Sequence, residues 1–86
     1  MDNETTLTPI STQDPFAGLG EALLRLRKTR GLSQSDLADK TGLTKSMVSG
    51  YEAGKQMPSL DSLSKLMRTL GCDLDELSSA LKSVRG

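Results

Sequence analysis

Residues 34–53, with the sequence QSDLADKTGLTKSMVSGYEA, constrain the fold of this chain more than any other segment. Their pattern predicts two short helices joined by a tight turn. Ser33 is placed to cap the first helix, with Asp36 three residues later as in a capping box. Gly42 supplies the residue with positive φ that ends this helix, and Thr44 caps the second.

The apolar residues of this segment predict how the two helices pack. The inward side of the first helix is formed by Leu37 and Ala38. The inward side of the second helix is formed by Val48 and Tyr51, which are about one turn apart. The small side chain of Ala38 allows the helices to cross closely. This combination is typical of a helix-turn-helix motif.

The outward side of the second helix carries only small or polar residues. They are Lys45, Ser46, Ser49 and Gly50. A helix about 10 Å in diameter with such a face fits the major groove of B-DNA. An ordinary solvated helix surface is the competing interpretation, which spacing alone leaves open.

The composition favours a small helical domain and excludes several kinds of site. The 86 residues include one Tyr, one Phe and no Trp, which suits a compact bundle of helices better than a sheet. The single cysteine, Cys72, excludes an internal disulfide, and the absence of histidine argues against a zinc site. Because no nucleophile–base pair, metal-ligand set or phosphate-binding glycine loop is recognisable, we expect neither an enzyme nor a cofactor.

Charge is distributed unevenly along the chain. Residues 1–20 carry a net charge of −3, residues 21–58 carry +3, and residues 59–86 are balanced. The basic excess therefore coincides with the predicted helix-turn-helix, as phosphate binding requires. No apolar run of about 18 residues and no signal segment is recognisable, so we expect a cytoplasmic protein that does not contact the membrane.

The N-terminal segment divides into an arm and the start of the first helix. Residues 1–13 lack helical or strand periodicity, and we expect a disordered acidic arm, with residues 14–86 forming the domain. Asp14 and Pro15 are a helix-start signal, so helix 1 is predicted from about Pro15 to Arg30; Gly18 and Gly20 weaken its first turns, which favours a later visible start. Its predicted apolar stripe comprises Leu19, Leu23 and Leu26, with help from Phe16 and Ala22.

Two more helices are predicted in the C-terminal third. Ser59 caps the fourth helix and Gly71 ends it, and Asp73 caps the fifth, with Glu76 three residues later. The predicted apolar stripe of helix 4 is Leu60, Leu63, Leu66, Met67 and Leu70, and that of helix 5 is Leu74, Leu77 and Leu81 with Val84 at its end.

Taken together, these motifs resemble a known family. The pattern L-R-x-x-R-G-L-S-Q-x-x-L-A-x-x-T-G-L-T-x-x-x-V-S-x-Y-E-x-G-K-x-x-P-S-L-x-x-L is similar to the lambda-repressor-like, Cro-type helix-turn-helix domain, also called XRE. The resemblance covers roughly residues 18–80. It implies an all-α, compact five-helix domain with the helix-turn-helix at helices 2 and 3, in a family whose members bind operator DNA, usually as symmetric dimers.

The resemblance also implies roles for individual residues. Base-facing positions are Lys45, Ser46, Ser49 and Gly50, although Gly50 replaces a long side chain found in many relatives. Phosphate-contacting positions are Gln34, Thr44, Lys55 and Gln56, and Gln34 is also expected to brace the recognition helix. A structural salt bridge is expected between Arg27 and Glu52.

The function implied is that of a sequence-specific regulator of transcription that binds double-stranded DNA. We expect a repressor that recognises a palindromic operator as a homodimer. The dimer is expected to form through helix 5 and neighbouring leucines. Such a protein is expected in bacteria or phage, associated with the nucleoid. The alternative is an antitoxin of a toxin–antitoxin pair, which binds a toxin through residues 1–13 and regulates its own promoter.

Overall fold

The computed structural model describes residues 16–85, and within them the chain forms five helices and no strand. The helices are α1 (Leu19–Thr29), α2 (Gln34–Thr41), α3 (Lys45–Glu52), α4 (Leu60–Leu70) and α5 (Leu74–Arg85). The all-α, five-helix fold predicted from the sequence is therefore confirmed. The acidic arm at residues 1–13 and the start signal at Asp14 and Pro15 lie outside the described residues.

The predicted caps act through local hydrogen bonds. The hydroxyl of Ser33 accepts from the backbone N–H of Asp36, whose carboxylate accepts in return from the N–H of Ser33, both at 3.0 Å. The hydroxyls of Thr44 and Ser59 each accept one such bond at the starts of α3 and α4, from the N–H groups of Met47 and Ser62. At the start of α5, Asp73 accepts from the N–H of Glu76 at 2.8 Å. Since a side-chain acceptor satisfies a backbone donor that the first turn leaves unpaired, these caps fix the helix starts.

The core is a single cluster of leucines and small residues drawn from all five helices. It comprises Leu19, Ala22, Leu23, Leu26, Leu37, Ala38, Val48, Tyr51, Leu63, Leu66, Leu70, Cys72, Leu77 and Leu81. Helix α1 packs against α3 and α5, and α2 packs against α3 and α4. Helix α3 is therefore held from two sides, by α1 and by α2.

The first helix begins later than its start signal predicts. Gly18, with a φ of 83°, forms the N-cap, and α1 begins at Leu19. A Cβ on Gly18 would lie 2.7 Å from Cγ1 of Val84, so the chain turns tightly against the end of α5 before the helix begins. Phe16 precedes this turn and is 42% exposed, and its predicted place in the apolar stripe of the first helix was wrong.

Two leucines assigned to apolar stripes face solvent. Leu60 is 83% exposed and Leu74 is 73% exposed. Each is the first residue of its helix, where the chain has just entered from a loop. The helical period was right, but its extension to the first position of α4 and of α5 was wrong.

Candidate nucleic-acid interface

The turn between α2 and α3 is closed by backbone hydrogen bonds around Gly42. With a φ of 77°, Gly42 donates to the carbonyl of Ala38 at 2.9 Å, and Leu43 donates to the same carbonyl at 3.1 Å. Leu43 then packs against the core. The angle between the two helices is therefore set by the glycine and by this apolar contact.

Helix α3 has one buried side and one open side. Val48, Tyr51 and Glu52 are buried. Three of the residues predicted to face bases, Lys45, Ser46 and Ser49, are exposed, whereas Gly50 is half-buried. Successive exposed positions lie on one stripe of a helix with 3.6 residues per turn, so α3 presents a continuous small, polar surface.

The last residue of α3 is anchored by a buried salt bridge. Arg27 of α1 donates two hydrogen bonds to Glu52, Nε to Oε2 at 2.7 Å and Nη2 to Oε1 at 2.9 Å. A third bond runs from Nη1 of Arg27 to the carbonyl of Leu32 at 2.8 Å. The hydrogen bonds to Glu52 raise the pKa of Arg27 above its ordinary value. These three hydrogen bonds tie α1, the loop before α2 and α3 together.

Gln34 joins the same network from the first turn of α2. Its Nε2 donates to Oε1 of Glu52 at 3.0 Å. Glu52 is thus held by side chains from both neighbouring helices. The bracing role expected for Gln34 has a direct geometric basis, and the side chain remains half-buried at the surface.

The residues after α3 fold back onto it. Gly54, with a φ of 76°, reverses the chain, and the N–H groups of Lys55 and Gln56 both donate to the carbonyl of Gly50, at 2.9 and 3.2 Å. Lys55 is exposed, and the side chain of Gln56 lies against Gly50. The loop therefore adds one positive charge and one carboxamide beside the open surface of α3.

Two sets of contacts between helices are not predicted by the sequence pattern. Gly20 of α1 lies directly against the backbone carbonyls of Tyr51 and Glu52. Arg30, after α1, donates to the carbonyl of Leu70 at 2.6 Å and to Glu76 at 2.9 Å, which joins the end of α1 to α4 and α5. Both join residues more than 30 positions apart, so no local spacing indicates them.

Another exposed feature lies away from α3. A groove of about 390 Å³ is lined by residues of α4, of α5 and of the turn between them. We call it the α4–α5 groove; its apolar lining comprises Leu60, Leu63, Met67, Cys72 and Leu74. Burial raises the pKa of the Cys72 thiol, which keeps it protonated and unreactive at neutral pH.

Within residues 16–85 no cluster of three or more His, Cys, Asp or Glu side chains could hold a metal ion. No helix in that range is long and apolar enough to cross a membrane.

The comparison with protein families agrees with this geometry, since the helix-turn-helix family model matches residues 23–77. The chain belongs to the helix-turn-helix family. The match runs from α1 into α5 and includes both the α2–α3 motif and the Arg27–Glu52 pair.

Curated relatives of this helix-turn-helix domain come from yeasts and bacteria. It is 38% identical over 74 residues to multiprotein-bridging factor 1 of Saccharomyces cerevisiae, covering 86% of this chain and 48% of that protein. It is 41% identical over 58 residues to the prophage-derived HTH-type transcriptional regulator YonR of Bacillus subtilis, covering 67% and 54%. It is 38% identical over 60 residues to the HTH-type transcriptional regulator PuuR of Escherichia coli, covering 70% and 32%. The chain thus spans about half of the length of these relatives, or less.

Proposed function

We propose that this domain is a sequence-specific regulator of transcription that binds double-stranded DNA by inserting α3 into the major groove. The observation that carries this proposal is the exposed edge formed by Lys45, Ser46 and Ser49, on a helix whose opposite side is buried. Lys45 has the length and charge to donate to guanine O6 and N7, and the serines tolerate several bases. The relatives named as transcriptional regulators support the same function.

Phosphate contacts are assigned to residues at the two ends of this edge. Thr44 is the N-cap of α3, Gln34 is the first residue of α2, and Lys55 lies in the loop after α3. These groups flank the exposed edge of Lys45, Ser46 and Ser49, which we call the reading edge. Contacts to the DNA backbone on either side of such an edge fix the register of a protein on DNA. If a dimer neutralises about six to eight phosphates, the logarithm of the binding constant should fall with the logarithm of salt concentration with a slope of about −5 to −7.

A homodimer on a palindromic operator, acting as a repressor, completes the proposal. Leu60 and Leu74 are exposed leucines on the α4–α5 groove, and half-buried Met67 lies between them in the lining. An exposed apolar patch of this kind is typical of an interface. A two-fold dimer formed there would bind half-sites about 34 Å apart, one turn of B-DNA.

The DNA-binding proposal is tested by selecting bound sequences from random duplex DNA with the full 86-residue chain. We expect enrichment of a palindromic motif with half-site centres about 10 base pairs apart. Recovery of random sequences at low salt, with no motif, would contradict sequence-specific binding.

The dimer is tested by sedimentation of the wild type and of the double variant Leu60→Lys/Leu74→Lys. We expect the charged variant to be monomeric at concentrations where the wild type is dimeric, with an unchanged helical circular dichroism spectrum. Met57→Lys is the matched control, because Met57 is 61% exposed but lies outside the α4–α5 groove. An unchanged mass for the double variant would reject this interface.

The α4–α5 groove also supports a second candidate, a module that binds a protein partner as well as DNA. Several yeast relatives carry the name multiprotein-bridging factor, and an antitoxin of a toxin–antitoxin pair has the same dual role. The sedimentation experiment separates the two candidates. A wild type that is monomeric, both free and on its selected DNA, favours a groove that binds another protein, and deletion of residues 1–13 then tests whether the arm contributes to that binding.

A further inference from the structure

The side chain of Gln56 lies along the surface of α3 at Gly50. An ideal Cβ on Gly50 would lie 3.0 Å from Nε2 of Gln56, 3.2 Å from its Cδ and 3.4 Å from its Cγ. Three consecutive heavy atoms of the glutamine therefore pass over the position where any other residue carries its side chain. A Cβ at this position would be in tight contact with the glutamine side chain, so the glycine leaves room for the close approach.

The backbone holds Gln56 in this place. The N–H of Gln56 donates to the carbonyl of Gly50 at 3.2 Å, and the N–H of Lys55 donates to the same carbonyl at 2.9 Å. Both residues therefore keep a fixed position relative to α3. The glutamine reaches the surface of α3 from an anchored loop and not from a freely moving one.

The carboxamide of Gln56 is available for a ligand. Gln56 is exposed, and within residues 16–85 its side chain makes no hydrogen bond. Gly50 follows Ser46 by four residues and Ser49 by one, so it borders the reading edge on α3. The carboxamide therefore lies beside the serines of that edge, with two N–H donors and one oxygen acceptor unused.

We propose that Gln56 reads a base edge in the major groove, taking the place of the side chain that Gly50 lacks. This inference rests on the proposed function and replaces the phosphate contact that the resemblance implies for Gln56. A carboxamide pairs with adenine through N6 and N7, so the base read is adenine. Lys55, its neighbour in the loop, supplies the charge for the phosphate, and the uncharged glutamine supplies a directional pair of hydrogen bonds.

The experiment compares selected DNA motifs and binding constants for four proteins: the wild type, Gln56→Ala, Gly50→Ala and the double variant. Gln56→Ala should lose the preference for adenine at one position of each half-site. A bidentate pair of this kind discriminates against the wrong base by about 5- to 150-fold. The other positions of the motif and the salt dependence should not change.

Gly50→Ala tests the geometric part of the inference. Its Cβ pushes the Gln56 carboxamide away, so the same adenine preference should weaken, and the double variant should be no worse than either single variant. Since alanine is a better helix former than glycine, Gly50→Ala is expected to fold, and thermal unfolding checks this. Ser35→Ala, an exposed substitution in the first turn of α2, is the control and should leave the motif unchanged.

The outcomes separate this inference from the function on which it rests. A wild type that selects no motif overturns both. A wild-type motif that Gln56→Ala leaves intact overturns the inference alone. A uniform loss for all sequences, with a shallower salt dependence, also overturns it, because that is the behaviour of a phosphate contact.

Discussion

Gly20 of α1 approaches the backbone of Tyr51 in α3 so closely that no side chain fits between them. A Cβ on Gly20 would lie 2.5 Å from the carbonyl oxygen of Tyr51 and 2.7 Å from that of Glu52. Because these neighbours are backbone atoms, they cannot rotate away. The last turn of α3 is therefore set against α1 by direct backbone contact, a few residues from the exposed edge that we propose reads DNA.

We predict that Gly20→Ala lowers the stability of the domain although alanine favours helix. The helix gains about 1 kcal/mol from the better propensity, but overpacking costs about 1–3 kcal/mol, and the rigid backbone neighbours place this site at about 2–3 kcal/mol. We expect a net loss of about 1–2 kcal/mol in the free energy of unfolding, measured by urea denaturation. Gly50→Ala is the matched control, because its Cβ meets only the flexible end of Gln56. Equal or higher stability of Gly20→Ala would show that α1 and α3 adjust without cost.

The salt bridge between Arg27 and Glu52 gives a second prediction. The Arg27 side chain is 10% exposed and that of Glu52 is 3% exposed, so Glu52→Gln leaves a buried guanidinium without its counter-charge. We expect a loss of about 2–4 kcal/mol in the free energy of unfolding. The exposed pair of Arg25 and Glu21 is the control, and Glu21→Gln should change stability by less than about 1 kcal/mol. Similar losses for both variants would contradict a special role for the buried pair.

These contacts illustrate which parts of the structure are visible in the sequence. A cap such as Ser33 or Thr44 acts on a backbone N–H three residues away, so its effect depends only on local order. Gly20 was interpreted as a weak point of the first helix because its partner, the end of α3, is remote in sequence. The same applies to Arg30, whose bonds to Leu70 and Glu76 require the folded chain.

Exposure at helix starts was the other unpredicted property. Periodicity assigns a residue to a face of a helix, but it does not say where the neighbouring helix ends. Leu60 and Leu74 both carry the right residue type for a core position, yet both begin their helices beyond the cover of the bundle. At the candidate site, spacing placed Lys45 and Ser49 on an outward face. It did not indicate that Gln56 lies over Gly50, because that contact depends on the path of a loop.

The capping box of α2 predicts a specific pH dependence. Hydrogen bonds from the backbone N–H and the side chain of Ser33 lower the pKa of Asp36 below its ordinary value. A carboxyl group with a lower pKa in the folded state stabilises the protein above its unfolded pKa, near 4, and this stabilisation is lost as the pH falls through the folded pKa.

The stability advantage of the wild type over Asp36→Asn should therefore be full at pH 7 and smaller at about pH 2, measured by urea denaturation at each pH. Ser35→Ala changes a residue in the same turn that has no titrating group. Its difference in stability from the wild type should be the same at both pH values. An advantage for Asp36 that is independent of pH would show that the charge on the carboxylate contributes nothing.

Lys45 and Lys55 provide the sharpest contrast between the two kinds of DNA contact. Both are exposed. Lys45 is the first residue of α3, and Lys55 lies in the loop that follows this helix. Lys45 begins the reading edge, so Lys45→Ala should relax base preference at one position, by about 1–3 kcal/mol if the base is guanine. Lys55 lies beyond the edge, so Lys55→Ala should weaken binding to all sequences alike and reduce the salt slope by about 1.

The measurement is a set of binding constants at several salt concentrations, on the selected motif and on duplexes changed at single positions. Lys82→Ala is the control for charge alone, because Lys82 is an exposed lysine in the last turn of α5, outside the helix-turn-helix. Since all three variants remove one positive charge, any difference between them in base preference reports position and not charge. If Lys45→Ala and Lys55→Ala lose affinity equally on every duplex, then Lys45 binds a phosphate, and the specificity of α3 must come from Ser46, Ser49 and the carboxamide beside them.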